Sequence, residues 1–411
     1  MNGLLSKIKK KKINILVIGL GYVGFPLLKL FEKKNFKVAG LDLNKELVLK
    51  LKYKTKANLY NSYENINFSK IDIIILALPT PVTKNNNPDL TYITKCIKKI
   101  FDKVKDNSLV ILESTSYPGT TFNEIVKPFK KKFNVGKNFF VGYSPEREDP
   151  GNKKFSIANI TKIVSGYTEQ CRALTACLYN SICKKIINSP SMETAEMAKI
   201  FENIFRAVNI ALVNETNEIS SKLNIDFHEV LNLCKTKPFG FMEFRPGPGV
   251  GGHCIPVDPF YLSWLAKRRG ITSKFINLAG EINGKRPNLI AKKIRLFFIK
   301  KKISLNDKII ILGMSYKKNI SDTRNSPAKV IFEIMAKNFK NVEYYDPFVP
   351  QIKINKKIYK SKKKFNYVIS NYKAAILLTD HSDFKKIKIN FKKVLVVDCK
   401  NFFKNKNTIK F

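Results

Sequence analysis

The sequence predicts an α/β protein in which two doubly wound parallel-sheet domains are joined by a helical middle domain with a long central helix. Three observations carry this expectation. Short apolar runs alternate with helix-compatible polar stretches through the first part of the chain. From about Glu193 to Leu223 some thirty residues pass without Pro or Gly. A second strand-and-helix series begins near Lys308.

Taken in order, Ile13 to Ile18 has the continuous apolar character of a strand buried on both faces. It runs into Gly19-Leu-Gly-Tyr-Val-Gly24 and then a helical stretch to about Lys34. Further strands are expected at Lys37 to Asp42, Ile71 to Leu78, Leu109 to Glu113 and Phe139 to Tyr143. In the middle segment Ala195, Ala198, Ile200, Phe201, Ile204, Phe205, Val208, Ala211 and Leu212 recur at helical spacing. That spacing predicts one long helix, whose apolar face could also serve a dimer. The second series is read at Lys308 to Leu312, Val342 to Asp346, Ala374 to Thr379 and Val394 to Asp398. The expected domains are residues 1–190, 191–300 and 301–411.

Composition narrows the function. With 44% hydrophobic residues the chain is globular. Its net charge of +43 suggests nucleic acid, but only nine of the 75 basic residues are Arg, the residue best suited to bidentate phosphate and base contacts. Lys is also spread along the whole chain, with denser stretches at Lys9 to Lys12 and Lys360 to Lys364. A solvated surface that attracts anionic substrates is the expectation, with no nucleic-acid partner. Seven Cys without a CxxC pair, and three His, predict reduced thiols and no metal site. The start lacks the apolar core of a signal peptide, and the longest apolar run, Ile73 to Pro79, is too short to span a membrane. A cytoplasmic location is therefore expected.

Gly19, Gly21 and Gly24 form GxGxxG between a strand and a helix, the context in which the motif binds dinucleotides in a Rossmann-like domain. The helix N-terminus offers N–H groups to the phosphates. Asp42, 18 residues past Gly24, can accept ribose hydroxyls and would repel a 2′-phosphate, which favours NAD over NADP.

The second informative segment is Pro246-Gly-Pro-Gly-Val-Gly-Gly-His-Cys-Ile-Pro-Val-Asp-Pro259. Four glycines and four prolines around Cys254 imply a tightly turning loop that fixes a thiol able to attack an aldehyde. Asp258, four residues on, could hold a water or orient that thiol. His253 is not read as its base, because adjacent side chains rarely face each other in extended backbone. Lys199 and Asn203 share a helix face at i, i+4 and could stabilise an oxyanion. Arg245 precedes the loop, where a cation could meet a diphosphate or sugar. Phe260 and Tyr261 are read as loop packing.

GLGYVG, ESTSYPGTT (113–121), SPERE (144–148), ETAEMAKIFENIFRAVNIALVNE (193–215), GPGVGGHCIPVDP and LGMSYKKNISDTRNSP (312–327) follow one another. Together they closely resemble the UDP-glucose/GDP-mannose dehydrogenase family over nearly the whole chain. GGHCIPVDPFYL and SPEREDPGN look more like the branch acting on UDP-N-acetylhexosamines, above all UDP-N-acetylglucosamine 6-dehydrogenases of bacterial polysaccharide synthesis. The UDP-glucose branch usually has Lys in place of Val257 and a second Glu in place of Pro150.

The resemblance implies NAD as cofactor, a UDP-sugar substrate, a homodimer and a closed cleft between the α/β domains. It also implies two oxidations without aldehyde release, through a thiohemiacetal and then a thioester on Cys254. Lys199 and Asn203 match the oxyanion stabilisers, Asp258 the residue supporting water or base near the thiol, and Glu146 the carboxylate assisting thioester hydrolysis. Thr115 matches a residue holding the reactive water. Tyr22, Val23, Thr80, Thr115 and Arg324 fall on the cofactor side; Arg245, Gly251 and Lys317 fall on the substrate side. Two other readings remain open: a single-oxidation dehydrogenase of the 3-hydroxyacid or 6-phosphogluconate type, which needs no Cys, and a non-catalytic NAD- or nucleic-acid-binding protein.

Overall fold

A computed structural model describes residues 2–83, 85–148, 156–362, 369 and 371–411. The chain divides into two compact units, Met1–Glu202 with Phe260–Ile271, and Asn203–Pro259 with Thr272–Phe411.

The first unit is built on eight strands: β1 Asn14–Ile18, β2 Lys37–Leu41, β3 Asn58–Tyr60, β4 Ile73–Leu76, β5 Leu109–Leu112, β6 Phe140–Tyr143, β7 Lys162–Gly166 and β8 Ile186–Asn188. Their order is β3-β2-β1-β4-β5-β6-β7-β8, with only β6 and β7 antiparallel. The first six follow the doubly wound dinucleotide-binding order, whose reversal point lies between β1 and β4. Alternate residues feed opposite cores. Ile15, Val17, Ile73 and Ile75 face one side, while Leu16, Ile18, Ile74 and Leu76 face the other. That double burial is why these strands read as unbroken apolar runs.

β3, β7 and β8 escaped the sequence reading. β3 and β8 are three-residue strands at the sheet edges. β7 opens on a lysine, yet Lys162 is buried. The basic N-terminus is a helix, Asn2–Lys9, whose Leu4 and Ile8 lie one turn apart in the core.

The long helix spans Met192–Lys222, as its periodicity predicts. It starts in the first unit and ends in the second. Ala195, Ile200, Ile204, Ala207 and Ala211 are buried, whereas Phe201 is 61% exposed and Leu212 58%.

The second unit carries helices Phe227–Cys234 and Lys274–Lys300 and a five-stranded sheet. Its strands are β9 Lys308–Leu312, β10 Asn341–Tyr345, β13 Ala374–Leu377, β14 Leu395–Asp398 and β15 Thr408–Lys410, ordered β10-β9-β13-β14-β15 and all parallel. β11 Gln351–Ile354 and β12 Lys357–Lys360 form a separate hairpin. Of the dense basic stretch 360–364, Lys363 and Lys364 lie outside the described residues. Among the described residues no helix is long and apolar enough to cross a membrane, and no His, Cys, Asp and Glu cluster could hold a metal.

Candidate active site

In the first unit, β1 ends on Gly19, whose φ of +91° suits glycine. A Cβ there would sit 2.4 Å from the Ala77 carbonyl oxygen, and one on Gly24 would sit 1.8 Å from that of Gly19. Gly21 is different: a Cβ there would meet nothing within 4 Å. The helix Gly24–Lys33 follows Val23 without a side-chain cap, and its Phe25 N–H donates to the Gly21 carbonyl at 3.2 Å. Asp42, half-buried, accepts the Leu20 and Asn44 N–H groups at 2.9 Å each, which hold the carboxylate beside the glycine turn. Open space at Gly21, an uncapped helix start and a fixed carboxylate fit a dinucleotide. Tyr22 is half-exposed next to this turn.

Thr80 and Thr115 belong to the loops after β4 and β5. The Thr80 hydroxyl donates to the Thr115 carbonyl at 2.8 Å, and the Tyr261 hydroxyl donates to the Thr80 carbonyl. Tyr261 is fully buried, in keeping with a packing role. The 113–121 segment is anchored from the long helix: Glu196 accepts the Gly119 N–H at 2.6 Å, the Thr121 N–H at 2.8 Å and the Thr121 hydroxyl at 2.6 Å. Burial pushes the Glu196 carboxyl up to about 7, against those three hydrogen bonds.

Glu146 follows β6. Its carboxylate accepts the Arg147 and Glu148 N–H groups at 2.7 and 2.6 Å and the Lys162 ammonium at 3.0 Å. Burial would raise its pKa, but Lys162 and these N–H groups outweigh burial and hold it below the usual carboxylate range. Pro150, whose identity separates the branches, lies outside the described residues. Lys199 is 9% exposed and, among the described residues, has no ion-pair partner.

In the second unit the Pro-Gly loop is held at several points. Gly247 N–H donates to Asn214 Oδ1 at 3.0 Å, and Arg286 Nε donates to the Gly247 carbonyl at 3.1 Å. Gly252 N–H donates to the Arg324 carbonyl at 2.9 Å, and Asn325 Nδ2 returns to the Gly252 carbonyl at 3.0 Å. Gly251 lies so close to the 316–327 loop that a Cβ would meet Tyr316 Cβ at 2.5 Å. Cys254 is exposed at the end of this frame. Its carbonyl accepts the Val257 and Asp258 N–H groups at 3.1 and 2.8 Å, a tight turn that brings the chain back toward the thiol-bearing residue.

Asp258 opens the helix Asp258–Arg268 and is buried with Asn203, whose Nδ2 donates to Asp258 Oδ2 at 2.6 Å. The structure thus joins Asn203, Asp258 and the Cys254 turn. Burial and the Arg324 charge lower the His253 pKa against the pull of Asp322, so its imidazole is neutral.

Other site candidates have local partners. Arg245 pairs with Glu243 at 2.6 Å, and Arg324 with Asp322 at 2.7 Å. Lys317 lies on the loop after β9, where its carbonyl accepts the Ser315 hydroxyl at 2.8 Å.

Sequence reasoning missed two buried clusters. One is Lys162 with Glu113 and Tyr179 behind Glu146. The other is His381, which contacts Asp346 at 3.1 Å and Ser315 at 3.2 Å and accepts the Asn319 N–H at 2.9 Å. Glu113 stands inside a quoted motif, but nothing in the sequence ties it to Lys162 or His381 to Asp346.

Three models of one family match the chain: the NAD binding domain at residues 52–183, the central domain at 193–285 and the UDP binding domain at 310–405. UDP-N-acetyl-D-glucosamine 6-dehydrogenase of Salmonella typhi is 34% identical over 92% of this chain and 92% of its own length. UDP-N-acetyl-D-mannosamine dehydrogenase of Methanococcus aeolicus is 33% identical over 98% of this chain and 92% of its own. The solved structure of UDP-D-ManNAc dehydrogenase from Pyrococcus horikoshii has a TM-score of 0.85 at 28% identity, covering 97% of this chain and 99% of that one. NAD is therefore the cofactor, and by its three domain matches and its full-length relatives this chain belongs to the UDP-glucose/GDP-mannose dehydrogenase family.

Proposed function

We propose that the chain oxidises the C6 alcohol of a UDP-N-acetylhexosamine, UDP-GlcNAc, to the uronic acid in two steps, with Cys254 as covalent nucleophile. The observation that carries this reading is the exposed Cys254 on a turn closed against Asp258, with Asp258 hydrogen-bonded to Asn203.

When bound, NAD accepts a hydride from C6 in each oxidation. Lys199 and Asn203, one turn apart on the long helix, stabilise the oxygen on C6; the nearly buried ammonium suits an anionic partner. Asp258 orients the Asn203 amide. The Cys254 sulfur bonds to the aldehyde carbon while its proton passes to the aldehyde oxygen, and oxidation of that thiohemiacetal leaves a thioester. Glu146 and Thr115 hold the water that hydrolyses it. Tyr22, Val23, Thr80 and Arg324 complete the cofactor set around Gly19, Gly21, Gly24 and Asp42. Arg245, Gly251 and Lys317 serve the UDP-sugar, which requires Arg245 to exchange Glu243 for the ligand.

The domain division 1–190, 191–300 and 301–411 belongs to this reading. So do a homodimer, a cytoplasmic location and use of the product in surface polysaccharide. The dimer is supported by the apolar stripe of Met197, Phe201, Phe205, Leu212 and Ile219 exposed on the long helix. UDP-ManNAc is the second reading, favoured by the relatives of Methanococcus aeolicus and Pyrococcus horikoshii.

NADH formed per mole of UDP-sugar consumed tests the scheme across a panel of UDP-sugars. Two NADH with UDP-GlcNAc as the best substrate is expected. One NADH with free aldehyde would overturn the thioester route, and a higher kcat/KM for UDP-ManNAc would move the substrate assignment.

A further inference from the structure

Behind Glu146 lies a buried charge cluster that the scheme above leaves unused. Lys162 opens β7 with its side chain 3% exposed. Its ammonium meets Glu113 Oε2 at 2.6 Å, Glu146 Oε2 at 3.0 Å and the Pro145 carbonyl at 3.2 Å. Glu113, directly after β5, is fully buried, and its other oxygen accepts the Tyr179 hydroxyl. The Tyr179 ring also lies 5.3 Å from the ammonium. Three elements thus converge on one cation: the end of β5, the loop after β6 and the helix Glu169–Asn180. The Cys183 thiol faces the same cluster, and burial pushes it up to about 11 against the pull of Lys162, so it stays neutral.

One cation between a fully buried carboxylate and a second that is 10% exposed cannot satisfy both equally. Burial lifts Glu113 to about 7 even with Lys162 and Tyr179 beside it. Glu146 ends on the other side of its ordinary value, because Lys162 is joined there by two backbone N–H groups. Keeping a carboxylate ionised at such a depth is costly without this partner.

Resting on the thioester route, we propose that Lys162 is the positioning residue for Glu146: braced from behind by Glu113 and Tyr179, it fixes that carboxylate in place, ionised, as the acceptor for the attacking water. In the step it serves, the water oxygen bonds to the acyl carbon and the C–S bond breaks. The Cys254 thiolate leaves, and the proton of the water passes to Glu146.

Two readouts test this on the full-length protein. Infrared difference spectra with isotope-labelled glutamate, referenced to Glu146→Gln, report the Glu146 carboxyl directly. The pH profile of kcat reports its use. Wild type and Lys162→Arg should show an ionised Glu146 at about pH 6. Lys162→Met should show a protonated one, with the acid limb of kcat moved up by about 1–3 pH units and KM for the UDP-sugar nearly unchanged. Lys162→Met leaves two acids facing each other, so Lys162→Met/Glu113→Gln removes the second and carries the test if the single variant does not fold. An ionised Glu146 and an unmoved acid limb in the double variant would overturn the proposal. Absence of a Cys254 adduct in the intact mass of Glu146→Gln would instead sink the thioester route, and the infrared titration would still decide the role of Lys162.

Discussion

An inner strand of each sheet, β1 in the first and β9 in the second, ends on the same turn and uses it differently. β1 runs into Gly19 with φ +91°, and β9 runs into Gly313 with φ +88°. Gly19 N–H donates to the end of β2 at Leu41, 2.8 Å, and Gly313 N–H to the end of β10 at Tyr345, 2.9 Å. A Cβ on Gly19 would strike the Ala77 carbonyl oxygen at 2.4 Å, and one on Gly313 the Thr379 carbonyl oxygen at 2.8 Å. The acid after each neighbouring strand accepts the next N–H: Asp42 takes Leu20 at 2.9 Å and Asp346 takes Met314 at 2.6 Å.

There the likeness stops. In the first unit two more glycines lead straight into an uncapped helix, and Asp42 stays half-exposed. In the second, a longer loop, residues 314–326, precedes a helix capped by Ser326, and Asp346 is sealed under His381. One turn thus leaves open space at Gly21, where the proposed function seats the cofactor phosphates. The other gives a rigid frame for the Lys317 loop where the acid is consumed internally.

The sharpest way to break that contrast is Gly24→Ala. Its Cβ would sit 1.8 Å from the Gly19 carbonyl oxygen, so the turn must open. Loss of NADH binding and a lowered Tm are expected, with UDP binding retained, as calorimetric titrations with each ligand would show. Gly21→Ala isolates the ligand effect, since a Cβ there meets nothing within 4 Å of protein. Its Tm should match wild type while NADH affinity falls by about tenfold or more. Unchanged NADH affinity in Gly21→Ala, or an equal loss in Gly313→Ala, would erase the distinction between the two turns.

The next effect is one of pH, and its sign differs between the units. Glu196 has a folded pKa raised to about 7 by burial. Its stabilising protonation is complete below the unfolded carboxyl pKa of about 4.3 and is lost as pH rises through 7. Asp346 runs the other way. Burial opposes its ionisation, but His381 and the Met314 and Ser315 N–H groups lower its pKa. Its contribution is present above the unfolded value of about 3.9 and lost as pH falls through the folded one. Relative to wild type, Glu196→Gln should gain up to ~3 kcal/mol between about pH 5 and pH 8. Asp346→Asn should be least harmful in acid. Denaturant unfolding from about pH 3 to pH 8 measures this, with the Asp346 change confined to the acid end, and parallel slopes in the two variants would contradict it.

Much of this architecture was legible. Strands buried on both faces, such as Ile73–Leu76, announce themselves because every position must be apolar. The glycine turn is legible for a steric reason, since no side chain fits at Gly19 or Gly24. Edge strands β3 and β8 bury one face or less and leave no such pattern. The buried polar clusters were invisible for another reason. Lys162 reaches Glu113 across 49 positions and His381 reaches Asp346 across 35, and no local rule links such pairs. Phe201 and Leu212 are a third case. They fit the helical period that marks a core face, yet they are exposed, because periodicity gives the face and not what covers it.

Asp42→Asn probes the contrast most finely. The amide oxygen can still accept the Leu20 N–H, and the exposed Asn44 N–H, which loses its Asp42 oxygen, can turn to water, so the turn should hold with a small drop in Tm. What is lost is the negative charge toward ribose hydroxyls and the repulsion of a 2′-phosphate. NADH should bind about tenfold more weakly, the scale of one charge-assisted hydrogen bond. NADPH should bind more tightly than it does to wild type. Fluorescence titration with both cofactors reads the ratio. If Asp42→Asn leaves the NADH-to-NADPH ratio where it was, the carboxylate at this turn is structural, as Asp346 is in the second unit, and the two sheet ends differ only in their glycines.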